Sequence, residues 1–331
     1  MKKYLNEILA IRGMGQVISV TTALAVMALV FGWINPSFFS GENGTNLLRQ
    51  VVPILIIGIG QSFVMITGGI DLSIGSVAGM SSMISATLMA KAGIDPWVAS
   101  LLTLGACCFV GLINGLLVST AKLPAFIATL GTMIIARGVA QLANGNLNTD
   151  AIPESAETFK NVFYYGSTWG LYNPIWIGIL LFLTFAFILG KTRTGRHTYA
   201  IGSNYEAAKL SGVNVKVAET RVYVFSAFLA GVVGLMLTAQ SGMGTMNAGV
   251  GYELNAVAAS VIGGVSTMGG QGLLFGTVIG AFIWGVLNNG LQFAGAPLAL
   301  RNLVIGVVVI ISVLIDRIAR SGKLDFFKKR T

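Results

Sequence analysis

Gly190-Lys191-Thr192 has the ending of a phosphate-binding loop, and a nucleotide site would be the most consequential chemistry in this sequence. Such a loop needs a further glycine five residues before Gly190, so that backbone amides can ring the phosphates, and Phe185 stands there at the end of an apolar run. Gly58-Ile59-Gly60 opens a dinucleotide-like pattern, but Phe63 fills the third glycine position and no strand precedes it. The expectation is a chain with no ATP site of its own and no bound cofactor. His197 is the single histidine. A metal site needs several converging ligands, and a Ser-His-acid triad would have only Glu206 or Glu219 as a local acid, so His197 reads as a solvated or loop-packing residue and no metal or catalytic group is expected. Cys107 and Cys108 are adjacent in an apolar segment, where neighbouring helical side chains diverge and cannot readily meet disulfide geometry; they read as packing residues.

What remains are polar residues embedded in apolar sequence. An unpaired charge in hydrocarbon costs several kcal/mol, so Asp71, Arg137 and Glu253 each need a reason. Asp71 follows Gly68-Gly69-Ile70 and is read as capping the next helix, and Glu253 as doing the same for a later one, with substrate contact as the alternative for both. Arg137 has no evident partner in sequence, and a structural ion pair and a place near a pathway are equal readings. The other mid-segment polar residues are amides, Gln61, Asn114, Asn288 and Asn289, and hydroxyls such as Ser76, Ser81 and Ser82. Ion-coupled carriers place acids or histidines at mid-membrane. This set suits instead a neutral polar solute, although small and polar residues also serve to pack helices. Gln61, Ser76, Asn114, Asn288 and Asn289 are therefore the candidate translocation-pathway residues.

The elements that must position these groups follow from composition. The 331 residues are 54% hydrophobic and 10% charged, with a mean hydropathy of +0.79, whereas a soluble domain is about one quarter charged. This is the composition of an all-α integral membrane protein, a single transmembrane domain over 1–331; short alternating segments that would make a barrel are missing. Met1-Lys2-Lys3 precedes an apolar stretch without a convincing cleavage site, so the first span is read as retained. Apolar windows predict about ten transmembrane helices, at 17–34, 47–67, 72–91, 96–120, 124–143, 173–190, 220–241, 253–269, 271–293 and 300–316. Glycine is frequent in the third, fourth, eighth and ninth, any of which could be broken or re-entrant.

Charge sets the orientation. With the N-terminus inside, Lys2, Lys3, Arg12, Lys122, the 191–221 segment and the run from Arg317 to Arg330 all fall on one side, and the other receives only Arg49, Lys91, Lys160 and Arg301. The positive-inside rule then puts both termini and the 191–221 loop in the cytoplasm. The net charge of +9 thus reports topology, and nucleic-acid binding is not expected. The 144–172 loop, with Asp150, Glu154 and Glu157 against Lys160, faces outward, as a partner surface or as a solvated cap. A faint internal repeat pairs Asp71-Leu72-Ser73 with Glu253-Leu254-Asn255, and Ile113-Asn114-Gly115 with Leu287-Asn288-Asn289-Gly290. Under ten spans Asp71 lies at the inner end and Glu253 at the outer, which makes the halves an inverted repeat with the path along its interface.

The polar loop Lys191 to Arg221 is the natural place for an outside energy source to act. It contains Asn204-Tyr205-Glu206-Ala207-Ala208-Lys209-Leu210-Ser211-Gly212, which reads as a short helix ended by its glycine. Together with Thr67-Gly68-Gly69-Ile70-Asp71-Leu72-Ser73-Ile74-Gly75-Ser76, Pro124-Ala125-Phe126-Ile127-Ala128-Thr129-Leu130-Gly131, Thr192-Arg193-Thr194-Gly195-Arg196, Tyr199-Ala200-Ile201-Gly202-Ser203-Asn204 and Gly251-Tyr252-Glu253-Leu254-Asn255-Ala256, it resembles the membrane permease subunits of bacterial ABC importers for ribose, galactose, xylose and related sugars. The resemblance runs from about Pro36 to the end and is nearest to ribose permeases through Leu287-Asn288-Asn289-Gly290-Leu291; Asn255 departs from it, since many members carry an acid there. It implies that Asn204 to Gly212 is a coupling helix docking into a separate cytoplasmic ATPase that uses ATP and Mg. It further implies a second permease subunit (a homodimer), a periplasmic sugar-binding protein, a monosaccharide substrate, residence in the lipid of the bacterial inner membrane, and alternating access. The competing expectation is an ion-coupled secondary carrier for a small neutral polar solute.

Overall fold

The computed structural model describes residues 14–320. Lys2, Lys3, Arg12, Lys323, Lys328, Lys329 and Arg330, on which the predicted orientation partly rests, lie outside these residues. The described chain is helical throughout its apolar sequence, in the order α1 (Met14–Ile34), α2 (Gly41–Ile66), α3 (Ile74–Ala90), α4 (Pro96–Ser119), α5 (Ala125–Ala143), α6 (Glu157–Lys160), a two-stranded hairpin of β1 (Ser167–Thr168) and β2 (Leu171–Tyr172), α7 (Asn173–Lys191), α8 (Arg193–Ser203), α9 (Tyr205–Leu210), α10 (Val215–Ser241), α11 (Tyr252–Ile262), α12 (Leu274–Phe293) and α13 (Leu298–Arg320). Local chemistry sets several of these ends. Asp95 accepts from the amides of Trp97 and Val98 ahead of Pro96, and Ser40 accepts from Asn43 at the start of α2.

Among the described residues six helices are long and apolar enough to cross a membrane, α2, α4, α5, α7, α10 and α12, and α1, α3 and α13 contain shorter apolar stretches. α2 and α10 are buried at the centre, where Phe63, Phe185 and Phe225 meet edge to face at 5.3–5.8 Å. α4, α5 and α7 surround them and turn Leu101, Phe109, Ile134, Ile135, Leu180 and Phe187 outward, the exposed apolar area of a surface that meets lipid or another subunit. Cys107 is buried in the core, Cys108 is half-buried, and both are free.

Three expectations change. The span expected over 253–269 is only the 11 residues of α11, about 16 Å at helical rise and roughly half a bilayer core. Residues 263–273 then run as turns, Gly263 and Gly264 halting the helix and Gly270 N donating to Ile66 O at the end of α2. Hydropathy stays high through Val265 and Met268, which is why the window ran on. The seventh span begins at Val215 rather than 220, because Asn214 accepts from the amide of Val217 and Lys216, Glu219 and Arg221 ride on its first turns. Finally, Asp71 and Glu253 do not lie at opposite ends. Residues 242–251 fold into the bundle, Arg137 donating to the carbonyls of Met246 and Ala248 at 3.0 and 2.9 Å, and this brings Glu253 against Gly75 in the first turn of α3, four residues from Asp71.

The 144–172 segment is no loose loop. Ile152, Ala156 and Phe159 are buried against Ala86, Met89, Ala99 and Leu235, closing one end of α3, α4 and α10. Beside them Arg49 stacks on the rings of Tyr164 and Tyr172 at 4.7 and 4.1 Å, and Trp169 meets Trp176, the aromatic girdle of a membrane interface.

Candidate coupling helix and polar interior

α9 is built as a rigid projection. Asn204 Oδ1 accepts from Ala207 N at 2.9 Å as its N-cap, and Ser211 Oγ donates to Ala207 O. The helix ends in a double closure, Gly212 N to Lys209 O and Val213 N to Ala208 O, with Gly212 at φ +84°. Only glycine takes this backbone without strain. Ala208 is buried among Ile201, Val215 and Ala218, whereas Glu206, Ala207 and Lys209 are exposed and Leu210 is 88% exposed. This leaves a large aliphatic side chain uncovered at the end of a capped helix.

α8 seats this projection on the bundle. Gly202 approaches the carbonyl of Ile66 so closely that a Cβ would lie 1.8 Å from it. Tyr199 Oη donates to Gly272 O at 2.6 Å, and burial pushes its phenol above the ordinary range. Arg221 Nη1 reaches Thr194 Oγ1 at 2.8 Å. The polar loop is therefore joined directly to the ends of α2 and α10 and to the turns after α11.

In the interior Asp71 is fully buried. Its Oδ1 accepts from Ser73 N and Ser73 Oγ at 2.9 and 2.6 Å, and its Oδ2 from Ser226 Oγ at 2.8 Å. These bonds hold the turn before α3 rather than the free amides of the helix itself. The network continues through Asn114, which donates to Ser73 Oγ and accepts from Thr132 Oγ1, and Thr129 clasps the backbone of Ile70 and Leu72. Glu253 stands in the first turn of α11 with its carboxylate beside the backbone of Gly251 and Glu253, and its Oε2 has no hydrogen-bond partner.

The expected pathway residues separate by environment. Asn114 belongs to the Asp71 network. Asn289 and Asn43 exchange both amide bonds at 3.0 Å, fastening α12 to α2. Asn288 is half-buried, and Ser76 is buried in α3. Gln61 is fully buried with neither amide atom bonded. Sequence reading missed the partners, among them Ser226, Thr129, Thr132 and the hydroxyl cluster of Ser62, Ser260 and Thr277. Their only sequence signal is a serine or threonine in an apolar helix, which marks packing as often as function. Lys122, whose ammonium donates to Tyr205 Oη and sits 4.5 Å from its ring centroid, was read for topology alone.

Comparison with known proteins places these features in a lineage. A family model described as "Branched-chain amino acid transport system / permease component" matches residues 43–313. The ribose import permease protein RbsC of Haemophilus influenzae is 37% identical over 304 residues, 91% of this chain and 93% of the relative. RbsC of Bacillus subtilis is 38% identical over 295 residues, 89% of this chain and 90% of its own length. The D-allose transport system permease protein AlsC of Escherichia coli is 35% identical over 300 residues, again 89% and 90%.

Proposed function

Because the chain belongs to the permease family that it matches over residues 43–313, we propose that it is the membrane-spanning subunit of an ATP-binding-cassette importer for a monosaccharide, ribose or a related pentose or hexose. It works in the bacterial inner membrane, with both termini and the α8–α9 loop cytoplasmic and about ten membrane-crossing segments, α11 together with the turns after it counting as one. A second permease subunit, a copy of itself, encloses the pathway with it. A separate ATPase hydrolyses ATP with Mg, and a periplasmic binding protein delivers the sugar.

The observation that carries this reading is α9, a capped helix whose exposed Leu210 is offered to a partner while its buried face is fixed to α8 and α10. ATP-driven closure of the ATPase pair displaces α9. Through Gly202 and Tyr199 that displacement bears on the end of α2 and the turns after α11, and the bundle changes the side to which it opens. The interior supports a neutral solute, since amides and hydroxyls outnumber charges there.

Copurification with the ATPase tests the docking role. Leu210→Asp weakens the complex by about 2 kcal/mol, roughly thirtyfold in Kd, as expected for a central apolar anchor. Gly212→Val and Glu206→Trp also uncouple it, the first by straining the cap by about 1–2 kcal/mol. Wild-type assembly and uptake in all three would exclude α9 as the docking element.

A further inference from the structure

Between the Lys122–Tyr205 contact and the Asp71 network lies a polar stripe not described above. Glu219, Tyr223 and Ser226 lie on one face of α10, at i, i+4 and i+7. At one end of the stripe is Lys122, in the α4–α5 turn, with the left-handed backbone (φ +59°) that non-glycine residues seldom adopt. Its ammonium holds Tyr205 of α9 and faces the Glu219 carboxylate. At the other end Ser226 donates to Asp71. Between them is Tyr223, 1% exposed, its hydroxyl pressed against the backbone of Gly69 and within electrostatic range of both Asp71 and Glu219.

The middle of this stripe is unmade. Tyr223 Oη has no hydrogen-bond partner, and neither has Glu219 Oε2. A buried donor lying between two carboxylates and bonded to neither carries a desolvation penalty with no return. Such a pair is explained if another arrangement of the same helices makes the bond. A small sliding of α10 past the 67–73 turn suffices, because Tyr223 already touches that turn.

We infer that the Glu219–Tyr223–Ser226 face of α10 is the strut that transmits movement of α9 to the Asp71 turn, with Lys122 as its joint and the Tyr223 hydroxyl bonding a carboxylate only in the displaced state. The inference rests on α9 being the ATPase-docking element. Lys122, Glu219 and Tyr223 are positioning residues, since none of them is argued to touch the sugar.

The test is Tyr223→Phe in proteoliposomes holding the permease and its ATPase, with the binding protein outside, measuring import of radiolabelled ribose and D-allose, ATP hydrolysis and melting temperature. Removing a hydroxyl that makes no bond in the resting state leaves assembly intact and the melting temperature equal or higher. Sugar imported per ATP falls by about tenfold, the scale of one hydrogen bond to a charged group. Lys122→Gln lowers the same ratio, and Lys122→Arg restores most of it. A wild-type ratio in Tyr223→Phe overturns the strut alone, and so does a lowered melting temperature, which would assign the hydroxyl to the resting fold. A wild-type permease that does not copurify with its ATPase overturns the strut and the proposed function together.

Discussion

Among the described residues, the buried side-chain amides divide into those that hold helices together and Gln61, which has no bonded partner. Asn289 and Asn43 satisfy each other across 246 positions of sequence, and truncating one leaves the other short of partners. Asn289→Leu therefore destabilises by about 1 kcal/mol, the usual scale for a polar contact between membrane helices. In thermal unfolding in detergent, adding Asn43→Leu recovers part of that loss; a double variant as unstable as the sum would deny the coupling. Gln61 predicts the opposite sign. Its amide is buried and unbonded, so Gln61→Leu relieves about 1–3 kcal/mol of desolvation and raises the melting temperature. The proposal that Gln61 lines the pathway predicts slower sugar import as well. A lowered melting temperature would assign Gln61 to a hydrogen bond in the fold. The sequence makes all of these residues conspicuous, as amides in apolar runs. It does not separate them, because an amide's role depends on what lies opposite, and opposite residues are set by the packing of distant helices.

At the scale of elements, hydropathy is local and was read well. α1 to α5, α7, α12 and α13 overlap the predicted segments, and α1 to α5, α7 and α12 are each followed by a turn or loop that also breaks the apolar run. Gly212 was legible as the stop of α9 for a like reason, its left-handed backbone being a local requirement. α11 was not, because its end is fixed by backbone contacts, Gly270 N to Ile66 O among them, while the sequence beyond it stays apolar. The inward fold of 242–251 was equally hidden: Arg137 looked partnerless because its partners are the carbonyls of Met246 and Ala248, which no side-chain pattern announces. The 144–172 segment offers an element-scale prediction. Phe159 is fully buried in the cluster that anchors it, so Phe159→Ala costs about 3–5 kcal/mol. Under limited proteolysis the cut then moves into 144–172, and an unchanged digestion pattern would show that the segment is held by other contacts.

At the scale of the molecule, two buried helices, α2 and α10, run through the centre. Asp71 stands in the turn before α3, and Glu253 packs against Gly75 in the first turn of that helix, after two interruptions of the helical chain. Breaks of this kind are where membrane proteins expose backbone and side chains to a passing solute. The ordering of motifs was enough to expose the permease lineage, yet the packing of Ala248, Gly249 and Glu253 against Gly75 and Gly79 of α3 emerged only from the fold. The account requires that energy enters from outside the chain, at α9. The direct test is uptake of radiolabelled ribose and D-allose into proteoliposomes with and without the partner ATPase, in the presence of the binding protein. Sugar accumulates only when the ATPase, ATP and Mg are all supplied, and an imposed proton or sodium gradient has no effect. Uptake by this chain alone, driven by either gradient, would contradict the account.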